Sequence, residues 1–197
     1  MLTIYFGSMF SEKSGDMLKR ALEASLYQKK KVLFLKPSID DRFGEDVIQS
    51  RTGLRVQAFN IPCDLRQVLK NFRESGQSVG QNISDYDLIV IDEGQFFSKE
   101  IVPLVEAILA MDKAVYIAAL NLDYRGKPIG SVGELILQAD KVVHKTAYCS
   151  VCGAPALFSQ RLVNNEPFTD PGQTVFIGNS EYEPRCRKHF VRGNDFH

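Results

Sequence analysis

Three short stretches of the chain carry side chains that could do chemistry together. The first is FGSMFSEKSGD, residues 6–16. Gly7, Lys13 and Ser14 stand at the separations of a phosphate-binding loop: glycine, four residues, a second glycine, lysine and a hydroxyl residue. The backbone N–H groups of Gly7, Ser8, Met9, Phe10, Ser11 and Glu12 would cradle phosphates at a helix N-terminus. Lys13 would reach the outer phosphates, and the Ser14 hydroxyl would help hold Mg²⁺. The second stretch is Asp92-Glu93, which closes the apolar run YDLIVI. Carboxylates at the end of a buried strand lie at the sheet edge where ligands bind. Asp92 can hold Mg²⁺ there, and Glu93 can polarise a hydroxyl or a water. The third is a pair of knuckles, Cys149-x-x-Cys152 and Cys186-x-x-His189, about 35 residues apart. This Cys₃His set closes a tetrahedral Zn²⁺ site with no position open for substrate, so the expected metal is structural.

Plainer readings exist for each stretch: a surface turn with a solvated lysine, two exposed carboxylates, free thiols beside a surface histidine. The first two stretches occurring together favour a nucleotide site, and the paired spacing favours zinc. Cys63 has no partner at such spacing, and His144 and His197 receive no role.

One letter of the loop departs from the pattern. Glu12 stands where the second glycine belongs, a position that needs an unusual backbone conformation and close approach to phosphate. A non-glycine residue at positive φ loses about 1 kcal/mol or more. Like-charge repulsion from a carboxylate 4 Å from a phosphate is about 4 kcal/mol at an effective dielectric of 20, roughly a thousandfold in ATP affinity. Glu12→Gly is accordingly expected to lower the KM for ATP, unless the carboxylate turns outward. Gly15, three residues on, could relieve part of the strain.

The elements that must position these residues alternate. Residues 2–6 read as a strand and 14–29 as a helix. Residues 31–37 and 54–61 read as strands, 64–74 as a helix, 76–85 as a polar loop and 86–93 as a strand. A helix over 98–112, with Ser98 as its N-cap, precedes a strand over 114–120. Strands alternating with helices imply an α/β fold with a parallel sheet over residues 1–140. Residues 141–197, with three of the four cysteines and all three histidines, read as a second, smaller module.

Bulk composition narrows the function class. Lys plus Arg and Asp plus Glu both number 24, so the formal net charge is zero. That balance counts against a nucleic-acid binder, and the run QKKK at 28–31 complements a helix C-terminus. No apolar run reaches membrane-spanning length, and the N-terminus lacks a signal-peptide pattern. A cytoplasmic protein is expected.

GSMFSEKS, KPSIDDRFG, IDEGQFF, LNLDYRGKPIG, CSVCG, SQRL and GNSEYEPRCRKHF resemble, in order and spacing, the thymidine kinases of the human-cytosolic and bacterial type, over roughly residues 2–190. The resemblance implies a RecA-like P-loop sheet domain and a small zinc-binding lasso domain that closes over the nucleoside. It implies transfer of the γ-phosphate of ATP to the 5′-hydroxyl of thymidine or deoxyuridine, with Mg²⁺, by a homotetramer inhibited by dTTP. Glu93 then matches the general base and Asp92 the Mg²⁺-side carboxylate. Lys13 and Ser14 match the phosphate and metal groups, and Asp40, Arg42 and Gln95 match residues near the phosphates. Phe96 matches a ring that packs on thymine. Met9, Leu120 and Tyr124 match pocket walls, Tyr124 serving equally well as core. Ser159 and the segment Gly178 to Tyr182 match the lasso, and Gly130 allows a turn. Two alternatives stand beside an active kinase: a paralogue weakened by Glu12 that binds nucleoside or dTTP, and a P-loop ATPase with a nucleic-acid-gripping zinc module.

Overall fold

The computed structural model describes residues 1–42, 44, 46–78, 80–168 and 182–192. In chain order the elements are β1 (Leu2–Gly7), α1 (Lys13–Gln28), β2 (Val32–Pro37), β3 (Val47–Gln49), β4 (Arg55–Gln57), β5 (Phe59–Ile61) and α2 (Arg66–Ser75). They continue with β6 (Gln77–Ser78), β7 (Gln81–Asn82), β8 (Leu88–Ile91), α3 (Ile101–Ala110), β9 (Ala114–Leu120), α4 (Val132–Gln138) and β10 (Lys141–Lys145). Last come β11 (Ala147–Tyr148), β12 (Pro155–Ala156), β13 (Phe158–Val163), β14 (Glu166–Pro167) and β15 (Tyr182–Arg185).

Six strands form one sheet in the order β10-β1-β9-β8-β2-β5, and every neighbouring pair is parallel. The central strands are apolar on both faces, as a parallel sheet covered by helices requires. Their pleat splits the core in two. Ile89 and Ile91 join Ile4, Ile117, Val105 and Ile108 on one side. Leu88 and Val90 join Tyr5, Met17, Ala21 and Ala24 on the other, where small residues on α1 let that helix approach the sheet. Each large aliphatic chain so buried contributes about 1.5–3 kcal/mol.

Three local expectations are corrected. The stretch 54–61 is not one strand. The Ala58 N–H leaves the ladder for the Asp46 carbonyl at 2.9 Å, and the chain divides into β4, which pairs with β3 in a hairpin, and β5, which joins the main sheet. Ser98 does not cap α3, which begins at Ile101 behind Glu100. Its hydroxyl instead accepts the Leu65 N–H at 3.0 Å and fastens the start of α2. β10, expected in the second module, is the edge strand beside β1; its charged, half-exposed sequence KVVHK hid it.

Beyond β10 the chain forms the β11–β12 hairpin and the antiparallel sheet β14-β13-β15. Phe158 and Phe190 stack there at 4.3 Å. This part is fastened directly to the loop after β1. Ser8 Oγ donates to the Ala156 carbonyl at 3.0 Å, and the Met9 N–H donates to Ser159 Oγ at 2.9 Å. Asn121 Nδ2, at the end of β9, donates to the Leu157 carbonyl at 2.9 Å.

Candidate active site

The loop between β1 and α1 and the C-terminal end of β8 open on the same sheet edge, with β9 between them. Ser14 closes that gap: its Oγ donates to Asp92 Oδ1 at 2.7 Å. The Ser11 hydroxyl donates to the Ser8 carbonyl at 2.7 Å and holds the loop to its turn. Phe10 and Glu12 both lie at positive φ, 66° and 58°. The position that calls for glycine is therefore left-handed, as anticipated, and Glu12 sits there with the strain intrinsic to a residue bearing a Cβ.

The Glu12 side chain does not face the cradle. It folds along the helix surface, where a Cβ built on Gly15 would lie 2.7 Å from Glu12 Oε2. The same carboxylate oxygen lies 3.5 Å from Thr52 Oγ1 in the turn between β3 and β4. The electrostatic argument for weakened ATP binding required a carboxylate aimed at the phosphates, so the expected gain from Glu12→Gly loses its basis.

Glu93 and Asp92 are both buried, at 7% and 4% exposure, and their surroundings push them apart. Burial disfavours ionisation of Glu93, but the nearby charges of Arg42 and Lys13 outweigh it and hold the carboxyl below its usual range. Arg42 Nη2 pairs with Glu93 Oε1, and Gln95 Nε2 donates to Oε2 at 2.5 Å. Asp92 goes the other way: burial, then the negative charge of Glu93, raise it. Burial likewise lowers Lys13, against the pull of Glu93 and Asp92. Two adjacent carboxylates displaced in opposite directions are the signature of groups tuned for different tasks. Glu93 is also held at φ 51°, and a strained backbone at a buried acid marks a position its surroundings over-determine.

Supporting residues fix these side chains from near and far in the chain. Asp40 accepts from Arg42 Nε at 2.6 Å and aims the guanidinium. Gln95 Oε1 receives the Leu120 N–H at 2.9 Å, which ties Glu93 to the end of β9. Gly130, at φ 52°, lies against Gln95; a Cβ there would come within 2.7 Å of its carbonyl oxygen, so this glycine serves close packing as well as a turn. Lys36, 1% exposed, donates from Nζ to the carbonyls of Gly44 and Val47 at 2.7 and 3.0 Å. It anchors the segment that carries Asp40 and Arg42. Lys36 and Asn121 lie inside the stretches KPSIDDRFG and LNLDYRGKPIG, yet nothing in either stretch points to these bonds.

Met9, Phe96 and Leu120 are half-buried at the same edge. Tyr124 is buried, with its ring 5.9 Å from that of Phe168 and the Arg161 guanidinium 5.7 Å from its centre. Ser159 is buried and engaged with the loop. Tyr182 opens β15 opposite Arg161. Gly178 lies outside the described residues.

Cys149, Cys152, Cys186 and His189 converge, their ligand atoms all within 4.8 Å of one another. Although burial opposes it, N–H groups of Cys186, Val151 and Cys152 lower the Cys149 thiol to about 6, ready to bind metal as thiolate. Cys63 stands apart and free.

A family model described as thymidine kinase matches residues 1–190. The chain belongs to the thymidine kinase family. A thymidine kinase of Thermococcus kodakarensis is 36% identical over 193 residues, covering 96% of this chain and 93% of that protein. Among solved structures, the replication initiator DnaA bound to AMPPCP and single-stranded DNA aligns over 74% of this chain and 40% of that one. Its TM-score is 0.42 at 13% identity, too low to carry an argument. Family membership makes the chain a thymidine kinase phosphotransferase that uses ATP, and its Cys₃His cluster is a ligand set that could hold a metal ion. No helix among the described residues is long and apolar enough to cross a membrane.

Proposed function

We propose that this chain transfers the γ-phosphate of ATP to the 5′-hydroxyl of thymidine or deoxyuridine, with Glu93 accepting the hydroxyl's hydrogen. The observation that carries this reading is the Ser14–Asp92–Glu93–Arg42 constellation, which joins the phosphate loop to a paired base and cation. Oxygen donors from Ser14 and Asp92, 2.7 Å apart, suit a hard cation such as Mg²⁺, which would neutralise charge on the phosphates. Lys13 and the loop N–H groups hold the phosphate chain. Arg42 is placed to leave Glu93 for the transferring phosphoryl as the nucleoside hydroxyl takes its place. Gln95 and Asp40 are positioning residues. Phe96, Met9, Leu120, Tyr124, Ser159, Tyr182 and Gly178 complete the nucleoside side of the proposal. The impaired-paralogue alternative loses its reason once Glu12 is turned aside. The direct test is radiolabel transfer from γ-labelled ATP to thymidine, with deoxyuridine and a purine nucleoside as competitors; labelled dTMP is expected, and its absence would refute the reading.

For the cluster, the Cys152–Cys186 Sγ separation of 3.8 Å equals the edge of a tetrahedron with a Zn–S bond of about 2.3 Å. A structural Zn²⁺ there is expected to hold the small module folded, since such sites contribute about 10–16 kcal/mol in finger peptides. Cys186→Ser is expected to release the ion and lower Tm sharply, whereas Cys63→Ser leaves metal content unchanged; metal analysis and a thermal melt check both. Cytoplasmic location, a homotetramer and inhibition by dTTP belong to the same proposal. Light scattering and the transfer assay with added dTTP test the last two.

A further inference from the structure

The phosphate loop holds an aromatic residue in a backbone conformation that aromatic residues avoid. Phe10 lies at φ 66°, where a Cβ crowds the backbone and bulky residues are seldom found. Such strain persists only where the surroundings over-determine it, and it clusters at ligand clamps. The neighbours of Phe10 are tied by hydrogen bonds: Ser8 and Ser11 through their hydroxyls, Met9 through its N–H to Ser159. Phe10 is tied by its ring. That half-buried ring packs against the cluster of Ala147, Cys149, Ala156 and Cys186. The guanidinium carbon of Arg51, in the turn between β3 and β4, lies 4.0 Å from its centre.

We propose that Phe10 is a positioning residue for the polyphosphate of ATP. Its ring, seated on the cysteine-bearing module, holds residue 10 left-handed and keeps the loop's N–H groups turned toward phosphate before the nucleotide arrives. The proposal rests on the ATP site described above. Left-handed residues in a turn aim successive N–H groups into one concavity that suits an anion, and Phe10 and Glu12 place two of them within three residues. Glycine would reach the same conformation by lacking a Cβ, but it would visit others about as readily. A ring that fixes the loop in advance removes that loss from the affinity, because apparent binding falls with the fraction of loops in the wrong shape.

The test is isothermal titration of the full chain with Mg²⁺-ATP, alongside thermal melts and steady-state kinetics. Phe10→Ala removes the ring and keeps the Cβ. It is expected to weaken ATP about fivefold or more, the scale on which a left-handed backbone is disfavoured, and to raise the KM for ATP more than that for thymidine. Phe10→Gly removes the ring and the strain together, so ATP affinity should stay within about threefold of native. Both variants lose the same packing, and Tm should fall in both while affinity falls in one. Phe10→Leu keeps an apolar side chain on the seat and should bind ATP more tightly than Phe10→Ala. Equal weakening by alanine and glycine would make the ring a brace of the fold alone and overturn the proposal, as would native affinity in Phe10→Ala. Should Phe10→Ala not fold, a Phe10→Gly chain that binds ATP tenfold more weakly than native overturns it. Failure of the unaltered chain to bind ATP would overturn the ATP site itself, and this proposal with it.

Discussion

Glu93→Gln is expected to lower kcat by about 10²–10⁴-fold, the usual worth of a positioned proton acceptor, without weakening Mg²⁺-ATP binding. The substitution keeps the size of the side chain and the left-handed backbone, so only the charge is lost. In the native chain that charge is secured by Arg42 and Gln95 against the disfavour of burial. A carboxylate held below its ordinary range is a weak base. In a loose phosphoryl-transfer transition state the nucleophile needs little deprotonation early on, so the larger service of Glu93 is to orient the attacking hydroxyl. The acid limb of the kcat profile should accordingly fall below the usual glutamate range. Single-turnover transfer measured from pH 5 to 9 checks both statements; turnover within fivefold of the native rate would remove Glu93 from the mechanism.

Asp92→Asn should produce the opposite pair of effects, lower activity with higher stability. Burial and the Glu93 charge raise the folded-state pKa of Asp92 above that of the unfolded chain. A group shifted in that direction stabilises the fold fully below its unfolded pKa, about 3.9, and that contribution is lost as pH rises through the folded value. The nucleotide-free protein should therefore melt at lower temperature as pH rises from 5 to 8, and the asparagine variant should lose that dependence. Each kcal/mol relieved corresponds to about 2–4 °C for a chain of this size. Glu93, shifted downward, acts in the opposite sense, and its contribution is lost only at lower pH, below the ordinary glutamate range. The same variant replaces a charged oxygen with a neutral amide oxygen where Mg²⁺ is proposed to bind and should reduce turnover at least a hundredfold, the scale of one removed charge-stabilising group. Melts with and without Mg²⁺-ATP check the pair; nucleotide should restore the native protein at pH 8 and not the variant.

The parts of this site that sequence could reveal are those whose chemistry is local. Gly7, Lys13 and Ser14 announce a loop by spacing, Asp92-Glu93 by the apolar strand before them, and the knuckles by two residues between ligands. Gln95 lay inside a recognisable stretch, yet its use as a bridge from Glu93 to the Leu120 N–H depends on how β8 and β9 align. Ser159 was legible as a member of the small module, but not as the acceptor for the Met9 N–H. Lys36 sits in a strand that reads as buried, and nothing local shows that its ammonium holds two carbonyls. The stacking of Arg51 on Phe10 was not legible: Arg51 occupies an ordinary turn, and only the pairing of β3 with β4 carries it to that ring. Ser98 misled because a serine ahead of an apolar helix is a fair cap by propensity, and a more distant donor, Leu65, took its hydroxyl.

The bonds from Ser8 and Met9 into Ala156 and Ser159 make the wall of the triphosphate cradle a shared seam with the sulfur-bound module. Whatever loosens one side of a seam alters the free energy of the other, and the dependence runs equally in both directions. Oxidation of the cysteines should be read out as weaker nucleotide affinity, and a saturating nucleotide should slow the escape of the Zn²⁺ proposed for the cluster, against which Phe10 of the loop packs.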